Sequence, residues 1–251
     1  PRTAGDALPQ QKPGLAVGIA DRLDTLAGLF AAGLAPSGTK DPFAQRRAAL
    51  GLVQALIGAK VDINLRNAIG EIAAPQLPIP ASAEAQEACL QFIADRLRNL
   101  LLEQGGRYDV VDAVLAAQGE NPAHAAHAVG ALARWIERPD WNTILPAYSR
   151  CVRITRDLPE RYDVSPAAFV EPAEHALLAT LQTAEAAPQQ PGSVDDLLTA
   201  FLPMIPVINR FFESVLVMAD DPAQRQNRLA LLQRVAALAQ GVADFSKLEG
   251  F

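Results

Sequence analysis

Cysteine, aromatic residues and net positive charge are all scarce in this sequence. The 251 residues include two cysteines and 6% aromatics, and 22 Lys and Arg are outnumbered by 28 Asp and Glu. Cys89 and Cys151 lie far apart in sequence, so we expect two free thiols in a reducing cytoplasm rather than a disulfide staple. The acidic balance excludes non-specific nucleic-acid binding by the whole surface. A local basic site stays open.

Long hydrophobic runs and strand-like alternation are absent as well. No apolar run is long enough to cross a bilayer, so no membrane partner is expected. Half of the residues are nevertheless hydrophobic, and they recur with helical rather than alternating spacing. The sequence therefore predicts an all-α fold with one large domain or two of ordinary size. The chain begins at Pro1 without a leader sequence, and we expect it to be a segment of a longer protein.

Polar caps and prolines mark where the predicted helices begin. A proline at the first helical position lacks only an N–H that would be unpaired there in any case, and a short polar side chain before it can accept a bond from the first turn. On this basis helices are predicted to start at Pro42 after Asp41, after Ser82, at Pro122 after Asn121, at Pro172, and at Pro222 after Asp221.

Three motifs resemble parts of active sites, and each has a simpler structural explanation. Asp21 and Asp24 share one helix face, but hydrolytic metal sites usually add histidine, and no histidine occurs before His124. "PSGTKDPF", residues 36–43, lacks the two glycines and preceding strand of a phosphate-binding loop. His124 and His127 lie one helical turn apart without two further zinc ligands nearby in sequence. No catalytic or metal-ligating residue is therefore assigned.

Arg150, Arg153 and Arg156 recur every three residues in "YSRCVRITRD". At about 100° per residue they lie along one side of a helix, and such a stripe suits contacts with phosphates. The alternative is an exposed helix face that pairs with nearby acids such as Asp157 and Glu160. The sequence leaves both interpretations open.

A second group of polar residues opens the apolar helix of "MADDPAQRQNRLALLQRV". Arg228 falls within the apolar arc of this helix, so it must extend to solvent, pair with a carboxylate or face a partner. Arg225 lies at the edge of the apolar arc, so it is the freer of the two arginines to bind a ligand. Asn227 points well away from Arg225. The helix N-terminus favours a phosphate, but Asp220 and Asp221 oppose one.

Several stretches resemble the C-terminal part of the β subunit of bacterial tetrameric glycyl-tRNA synthetase. They are "PRTAGDALP", "GIADRLDTLAGLFAAGLAPSGTKDPFAQRRAALGLV", "YDVVDAVLA", "FVEPAEHALLATL" and "FFESVLVMADDPAQRQNRLALLQRVAALAQGVADFSKL". The segments "KDPFAQRRAALG" and "NRLALL…VADFSKL" are quite specific to this family. The resemblance touches both ends of the chain, and residues 121–165 fit least well.

The resemblance implies two modules. Residues 1–135 would be the C-terminal part of an HD-like helical domain with its connecting helices, and Asp21 would match the last aspartate of the HD metal motif. The other ligands of that motif would lie upstream, so Asp21 is expected only as a remnant and no metal is expected here. Residues 146–251 would form a helical-bundle anticodon-binding domain like that of arginyl-tRNA synthetases.

The resemblance also implies a function, that of a tRNA-binding region of a cytoplasmic glycine–tRNA ligase. Glycine would be activated with ATP and Mg²⁺ on a separate α subunit in an α2β2 enzyme, and this chain alone would bind no cofactor and be non-catalytic. The expected contacts with glycine tRNA are Arg150, Arg153, Arg225, Asn227 and Arg228. Residues 146–251 hold nine Lys and Arg against thirteen Asp and Glu, so the binding face must be local.

Two alternatives remain from the sequence. One is a fragment of an HD-type metal phosphohydrolase, which requires an intact cluster of His and Asp ligands. The other is a structural helical module that docks the α subunit.

Overall fold

The structure, a computed structural model, describes residues 11–251 and is all-α, as the sequence predicts. Within that range it contains no strand, only an isolated bridge between Ser37 and Lys40 in a turn. The "PRTAGDALP" stretch lies outside the described residues. None of the helices that the structure describes is both long and apolar enough to span a membrane.

Eleven α-helices follow one another through the described part of the chain. Their bounds are α1 Lys12–Ala31, α2 Gln45–Gly58, α3 Leu65–Asn67, α4 Ala83–Glu103, α5 Tyr108–Gln118, α6 Pro122–Ile136, α7 Trp141–Thr155, α8 Pro172–Ala186, α9 Val194–Phe201, α10 Ile205–Ser214 and α11 Pro222–Ala237. A π-helical segment, Ala68–Ala73, follows α3 directly, and a 3₁₀ turn, Phe245–Lys247, lies near the end.

The chain divides into two compact units, Pro1–Gly130 and Ala131–Phe251, called unit 1 and unit 2 below. The division falls within α6. The assignments of residues 1–135 to an HD-like domain and of residues 146–251 to an anticodon-binding domain stay predictions.

Unit 1 is built around α1, α2 and α4, which pack against one another, with α5 packed on α4. Leucines and isoleucines at helical spacing fill the interior between these helices. The side chains of Leu26, Leu52, Leu56, Ile93 and Leu97 are completely or almost completely buried.

Unit 2 is built on the contact between α7 and α11, with α8 and α10 packed beside them. Tyr148 on α7 contacts the rings of Phe201 and Phe245 edge-on, and its hydroxyl donates to the carbonyl of Ala236 at 2.7 Å. This bond gives the one polar atom of a buried aromatic side chain a partner.

Four of the five predicted helix starts are confirmed. Ser82 Oγ accepts a hydrogen bond from Ala85 N at 3.2 Å, Asn121 Oδ1 accepts one from His124 N at 3.2 Å, and Asp221 Oδ1 accepts one from Ala223 N at 2.9 Å. The start of α8 at Pro172 is also as predicted. Each cap satisfies an N–H that has no partner within the helix.

The predicted start of α2 at Pro42 is wrong. The helix begins at Gln45, because Pro42 and Phe43 form a turn and Ala44 has a left-handed backbone with φ of 54°. Asp41 still caps the helix, but from four residues before its start: its carboxylate accepts bonds from Gln45 N at 2.8 Å and Arg46 N at 2.9 Å. A cap that reaches across a turn is not visible in residue spacing alone.

Cys89 and Cys151 are both buried free thiols, as expected. Burial raises the pKa of each thiol to about 12, because the thiolate would have to form away from water. Neither cysteine is therefore reactive at neutral pH.

Candidate functional site

The α7 stripe, which we define as Arg150, Arg153 and Arg156, is exposed. Its first two members lie on α7, and Arg156 directly follows the last residue of that helix. Arg150 Nη1 donates to Asn209 Oδ1 at 3.2 Å, and Arg150 Cζ lies 4.2 Å from the centroid of the Phe212 ring. Arg153 Cζ lies 5.5 Å from the centroid of the Phe251 ring. Two of the three guanidinium groups are thus held by cation–π contacts, which restrict them without cancelling their charge.

Arg156 behaves differently from its two neighbours. Its Nε lies 3.4 Å from the carboxylate of Asp157, and both side chains are largely exposed. Among the described residues, no carboxylate oxygen lies within 4.0 Å of the guanidinium groups of Arg150 or Arg153. The interpretation in which the stripe pairs with nearby acids therefore applies to Arg156. The positive charges of Arg150 and Arg153 remain available to bind an anion.

Arg228 at the start of α11 is buried in an ion pair. Its Nε lies 2.9 Å from Glu174 Oε1, with side-chain exposures of 6% for the arginine and 1% for the glutamate. Its Nη1 also donates to the carbonyl of Leu216 at 2.9 Å. The sequence leaves three possibilities for Arg228: extension to solvent, a carboxylate partner or a contact with another molecule. The structure shows a carboxylate partner.

Glu174 belongs to the first turn of α8 and joins that turn to α11. Its Oε2 accepts hydrogen bonds from the backbone N–H groups of Val170 at 2.8 Å and Glu171 at 2.7 Å. Burial alone would raise the pKa of Glu174, but the bonds from Glu171, Arg228 and Val170 outweigh it and lower the pKa below its ordinary value. The carboxylate is therefore charged. Together with the guanidinium of Arg228 it forms a buried ion pair, called the Glu174–Arg228 pair below.

Asn227 is buried and fastens the segment before α8 to α11. Its Oδ1 accepts from Ser165 N at 2.8 Å, and its Nδ2 donates to Ser165 O at 3.0 Å. Two reciprocal bonds to one backbone residue direct this side chain into the fold. Asn227 and Arg228, both predicted as tRNA contacts, thus occupy structural positions below the surface.

Arg225 is half-buried, and its Nη1 donates to the carbonyl of Ala219 at 3.2 Å. Within residues 11–251, no carboxylate oxygen lies within 4.0 Å of its guanidinium group. The nearby Asp221 carboxylate is instead bonded to Ala223 N, so the N-terminus of α11 already holds an anion. This arrangement disfavours a phosphate on the helix N–H groups but leaves the other donors of Arg225 for a ligand.

The predicted contacts fall into two separate places. Arg225 and the Glu174–Arg228 pair both bind backbone carbonyls of residues 216–219, at the start of α11. Arg150 instead contacts Asn209 and Phe212 on α10. The two groups of arginines are therefore held by different segments of the chain.

Four side chains that shape these places are missing from the sequence prediction. Asn209 and Phe212 hold Arg150, Phe251 lies under Arg153, and Glu174 neutralises Arg228. The Glu-Pro-x-Glu sequence at the start of α8 is a signal for Glu174, since a glutamate at the third helical position is typical of a capping box. The aromatic partners carry no comparable signal.

No catalytic metal centre is evident among residues 11–130 of unit 1. Asp21 and Asp24 are both exposed on α1, and His124 Nε2 lies 3.4 Å from the carboxylate of Asp62. Among the described residues, no three His, Cys, Asp or Glu side chains are grouped so that they could hold a metal ion.

Comparison with known proteins gives a consistent result. The family model described as "Glycyl-tRNA synthetase beta subunit" matches residues 1–116. The glycine–tRNA ligase beta subunit of Moorella thermoacetica is 38% identical over 257 residues, which cover 99% of this chain and 37% of that protein. The corresponding subunit of Janthinobacterium sp. (strain Marseille) is 40% identical over 254 residues, 99% of this chain and 36% of its own length.

A plant protein shows the same similarity. "Glycine--tRNA ligase, chloroplastic/mitochondrial 2" of Arabidopsis thaliana is 37% identical over 253 residues, 100% of this chain and 24% of that protein. The chain thus spans little more than a third of the bacterial relatives and a quarter of the plant one. The similarity runs through both units and confirms the predicted resemblance to the glycyl-tRNA synthetase β subunit.

Proposed function

We propose that this chain is a tRNA-binding region of a glycyl-tRNA synthetase β subunit. It would support the ATP-dependent attachment of glycine to its tRNA by recognising the tRNA, without performing the chemistry. The observation that carries the proposal is the similarity of 99% of the chain to proteins named as glycine–tRNA ligase beta subunits. Their ligase activity requires a tRNA, and a non-catalytic region with available arginines suits its recognition.

The electrostatics of unit 2 support a local binding face. Arg228 and Arg234 are paired with Glu174 and Glu185, so they contribute little net charge to the surface. Arg150, Arg153 and Arg225 are held instead by an amide, aromatic rings or a carbonyl. In an acidic module, these three are the predicted sites that can still offer a full positive charge to RNA.

The two places would contact different parts of the tRNA. Arg150 and Arg153 would meet phosphates, because an exposed guanidinium on a rigid helix can bind a phosphate bidentately. Arg225 donates to the carbonyl of Ala219, which follows the exposed residues Leu216 and Met218, 70% and 54% accessible, by one to three positions. A guanidinium next to apolar surface suits unpaired bases, which are recognised by stacking and by hydrogen bonds to their edges. Asn227 and Arg228, which are buried, would hold the start of α11 in position so that Arg225 can contact the tRNA.

The remaining partners follow from the same proposal. Glycine activation with ATP and Mg²⁺ would take place on the α subunit, and this chain would act within the assembled α2β2 enzyme. The purified chain alone is then expected to show no glycine-dependent exchange of pyrophosphate into ATP.

The proposal is tested by measuring the binding of fluorescently labelled glycine tRNA to the chain by anisotropy. We expect weak binding that falls with salt in proportion to the phosphates neutralised. The double variant Arg150→Ala/Arg225→Ala should bind more weakly than the chain itself. The matched control is Arg156→Ala/Arg234→Ala, which removes the same charge from arginines that already have carboxylate partners.

Three outcomes would contradict the proposal. Equal affinity of the double variant and the unmodified chain for glycine tRNA would show that Arg150 and Arg225 are not part of the tRNA interface. No tRNA binding at all, together with capture of the purified α subunit, would favour the structural docking module. Hydrolysis of a phosphate ester with added Mn²⁺ would favour the phosphohydrolase alternative.

A further inference from the structure

Arg150 is held against α10 by two residues that share one face of that helix. Asn209 and Phe212 lie three positions apart on α10, so their side chains are neighbours on its surface. Arg150 Nη1 donates to Asn209 Oδ1 at 3.2 Å, and Arg150 Cζ lies 4.2 Å from the centroid of the Phe212 ring. The Phe212 ring in turn meets the completely buried ring of Phe211 edge-on, with 5.7 Å between the centroids. The guanidinium is therefore held against a helix that is anchored in the core of unit 2.

The chemistry of arginine fixes the orientation of the Asn209 amide. A guanidinium only donates hydrogen bonds, so the amide oxygen must face Arg150 and the amide nitrogen must face away from it. Within residues 11–251, Asn209 Nδ2 donates to no protein acceptor. A free amide NH₂ group thus lies beside a guanidinium that has a neutral partner and keeps its charge.

This neutral partner distinguishes Arg150 from another member of the α7 stripe. The chain has a formal net charge of −6, and Arg156 pairs with the carboxylate of Asp157. At position 209, an aspartate would have nearly the same shape as the asparagine and would give Arg150 such a carboxylate. The identity of residue 209 therefore decides whether the positive charge of Arg150 is available at the surface or is neutralised there.

We propose that Arg150 and Asn209 together form a binding site for a phosphate of an RNA backbone. Arg150 supplies the positive charge, while Asn209 positions the guanidinium, leaves its charge unpaired and adds a neutral N–H donor. A phosphate is the matching ligand because its oxygens accept several hydrogen bonds and carry the complementary charge. That the phosphate belongs to tRNA rests on the proposed function, whereas phosphate binding itself is measurable without tRNA.

The test replaces the amide of Asn209 by side chains of similar size. Asn209→Asp gives Arg150 a carboxylate partner and removes the free NH₂ group, and Asn209→Leu removes the acceptor and the donor without adding charge. The matched control is Asn142→Asp, the same chemical change at an exposed position of α7, eight residues and about 12 Å before Arg150 along the helix axis. Charges that far apart are largely screened at physiological ionic strength.

The first measurement uses inorganic phosphate as the probe. Nuclear magnetic resonance follows the Nε–H signals of the arginines during a phosphate titration at constant ionic strength, and Arg150→Lys identifies the signal of Arg150. We expect this signal to shift with phosphate in the unmodified chain and in Asn142→Asp. In Asn209→Asp the apparent affinity should fall about fivefold, because the new carboxylate competes with phosphate for the guanidinium. Asn209→Leu should lose less, since the charge of Arg150 stays unpaired.

The second measurement is the binding of labelled glycine tRNA by anisotropy. Asn209→Asp should weaken binding about fivefold, as Arg150→Ala does, and it should have little further effect in the Arg150→Ala background. Thermal unfolding of Asn209→Asp should show no loss of stability, because the substitution adds an ion pair. Weaker binding without weaker folding separates the proposed role of Asn209 from a purely structural one.

Several outcomes would overturn the proposal. They are an Arg150 signal that does not respond to phosphate, an equal response in Asn209→Asp and the unmodified chain, and equal losses of tRNA affinity in Asn209→Asp and Asn142→Asp. Independent, additive losses from Asn209→Asp and Arg150→Ala would also contradict a shared site. A phosphate response that depends on Asn209, with no binding of glycine tRNA, would support the phosphate site and contradict the proposed function alone.

Discussion

The arginines of the α7 stripe and those at the start of α11 are held by different kinds of partner. On α7, Arg150 is exposed, with an amide on one side and the Phe212 ring beneath it. On α11, Arg228 is buried against Glu174, which is itself fixed by two backbone N–H groups. The two regions carry the same residue type in the same acidic unit.

The difference shows that the partner of an arginine decides its role. A guanidinium over an aromatic ring keeps its charge and its contact with water, so it can bind a phosphate at little cost. A guanidinium in a buried ion pair cannot turn towards a ligand, because the carboxylate would then remain buried without a partner in an apolar interior. We therefore expect changes at Arg228 to affect stability first, and changes at Arg150 and Arg225 to affect binding.

The largest expected effect is that of Arg228→Met, which preserves much of the side-chain volume. Glu174 would remain buried without its cation, and removing one partner of a buried pair typically costs about 3–5 kcal/mol. Urea denaturation followed by circular dichroism should show this loss in the free energy of unfolding.

Arg234→Met is the matched control on the same helix. Arg234 pairs with Glu185, but both side chains are about one-third exposed, so the loss should be below about 1 kcal/mol. Similar losses in the two variants would contradict the distinction between buried and exposed arginines on α11.

The second prediction concerns Glu174→Gln and its dependence on pH. Because the folded-state pKa of Glu174 is lowered, its contribution to stability is present above the ordinary glutamate value of 4.5 and is lost as pH falls through the folded-state pKa. We expect the variant to be less stable at pH 7 by about 1.5–3 kcal/mol, the range for hydrogen bonds to charged groups.

Urea denaturation of both proteins at a series of pH values from neutral to acidic measures this gap. The difference in stability should shrink as pH falls from the ordinary glutamate pKa through the folded-state pKa, because the unfolded chain binds a proton first and the native side chain becomes neutral only afterwards. A gap that stays constant through the acidic range would show that Glu174 acts by shape rather than by charge.

The fold class and most helix starts could be predicted because they depend on local chemistry. Ser82, Asn121 and Asp221 cap helices with bonds to N–H groups two or three residues away, which residue spacing reveals. Asp41 caps α2 across a turn with a left-handed residue at Ala44, and spacing alone placed that helix start too early. The error arose where geometry beyond the nearest neighbours decided the outcome.

The candidate site could be predicted from the sequence only as far as the pattern of residues on a single helix face allows. The arc of α11 indicates that Arg228 needs a carboxylate, a partner or a route to solvent, but Glu174 lies 54 residues away in sequence. Similarly, Asn227 is bound to Ser165, 62 residues away. Such long-range pairs result from tertiary packing, so the sequence could not separate buried arginines from available ones.

The third prediction is that Arg225→Ala weakens binding of glycine tRNA by about 1–3 kcal/mol, as expected for loss of a base-edge contact. The preference for the glycine anticodon should fall with it. Anisotropy titrations with glycine tRNA and with the same tRNA carrying an altered anticodon measure both quantities. The bond to Ala219 is a single contact from a half-buried side chain, so the unfolding free energy should change little and serves as the control.

The smallest expected effect is that of Arg150→Ala. The exposed guanidinium over Phe212 would contribute one phosphate contact, so its loss should weaken tRNA binding by only about 1 kcal/mol and reduce the salt slope by about one. Because phosphates carry no sequence information, the loss should be the same for glycine tRNA and for the altered-anticodon tRNA. Arg156→Ala is the control on the same stripe, since its charge is already offset by Asp157. If Arg150→Ala lowered binding of glycine tRNA alone, Arg150 would be reading a base, and the separation between a phosphate-binding α7 and a base-reading start of α11 would be wrong.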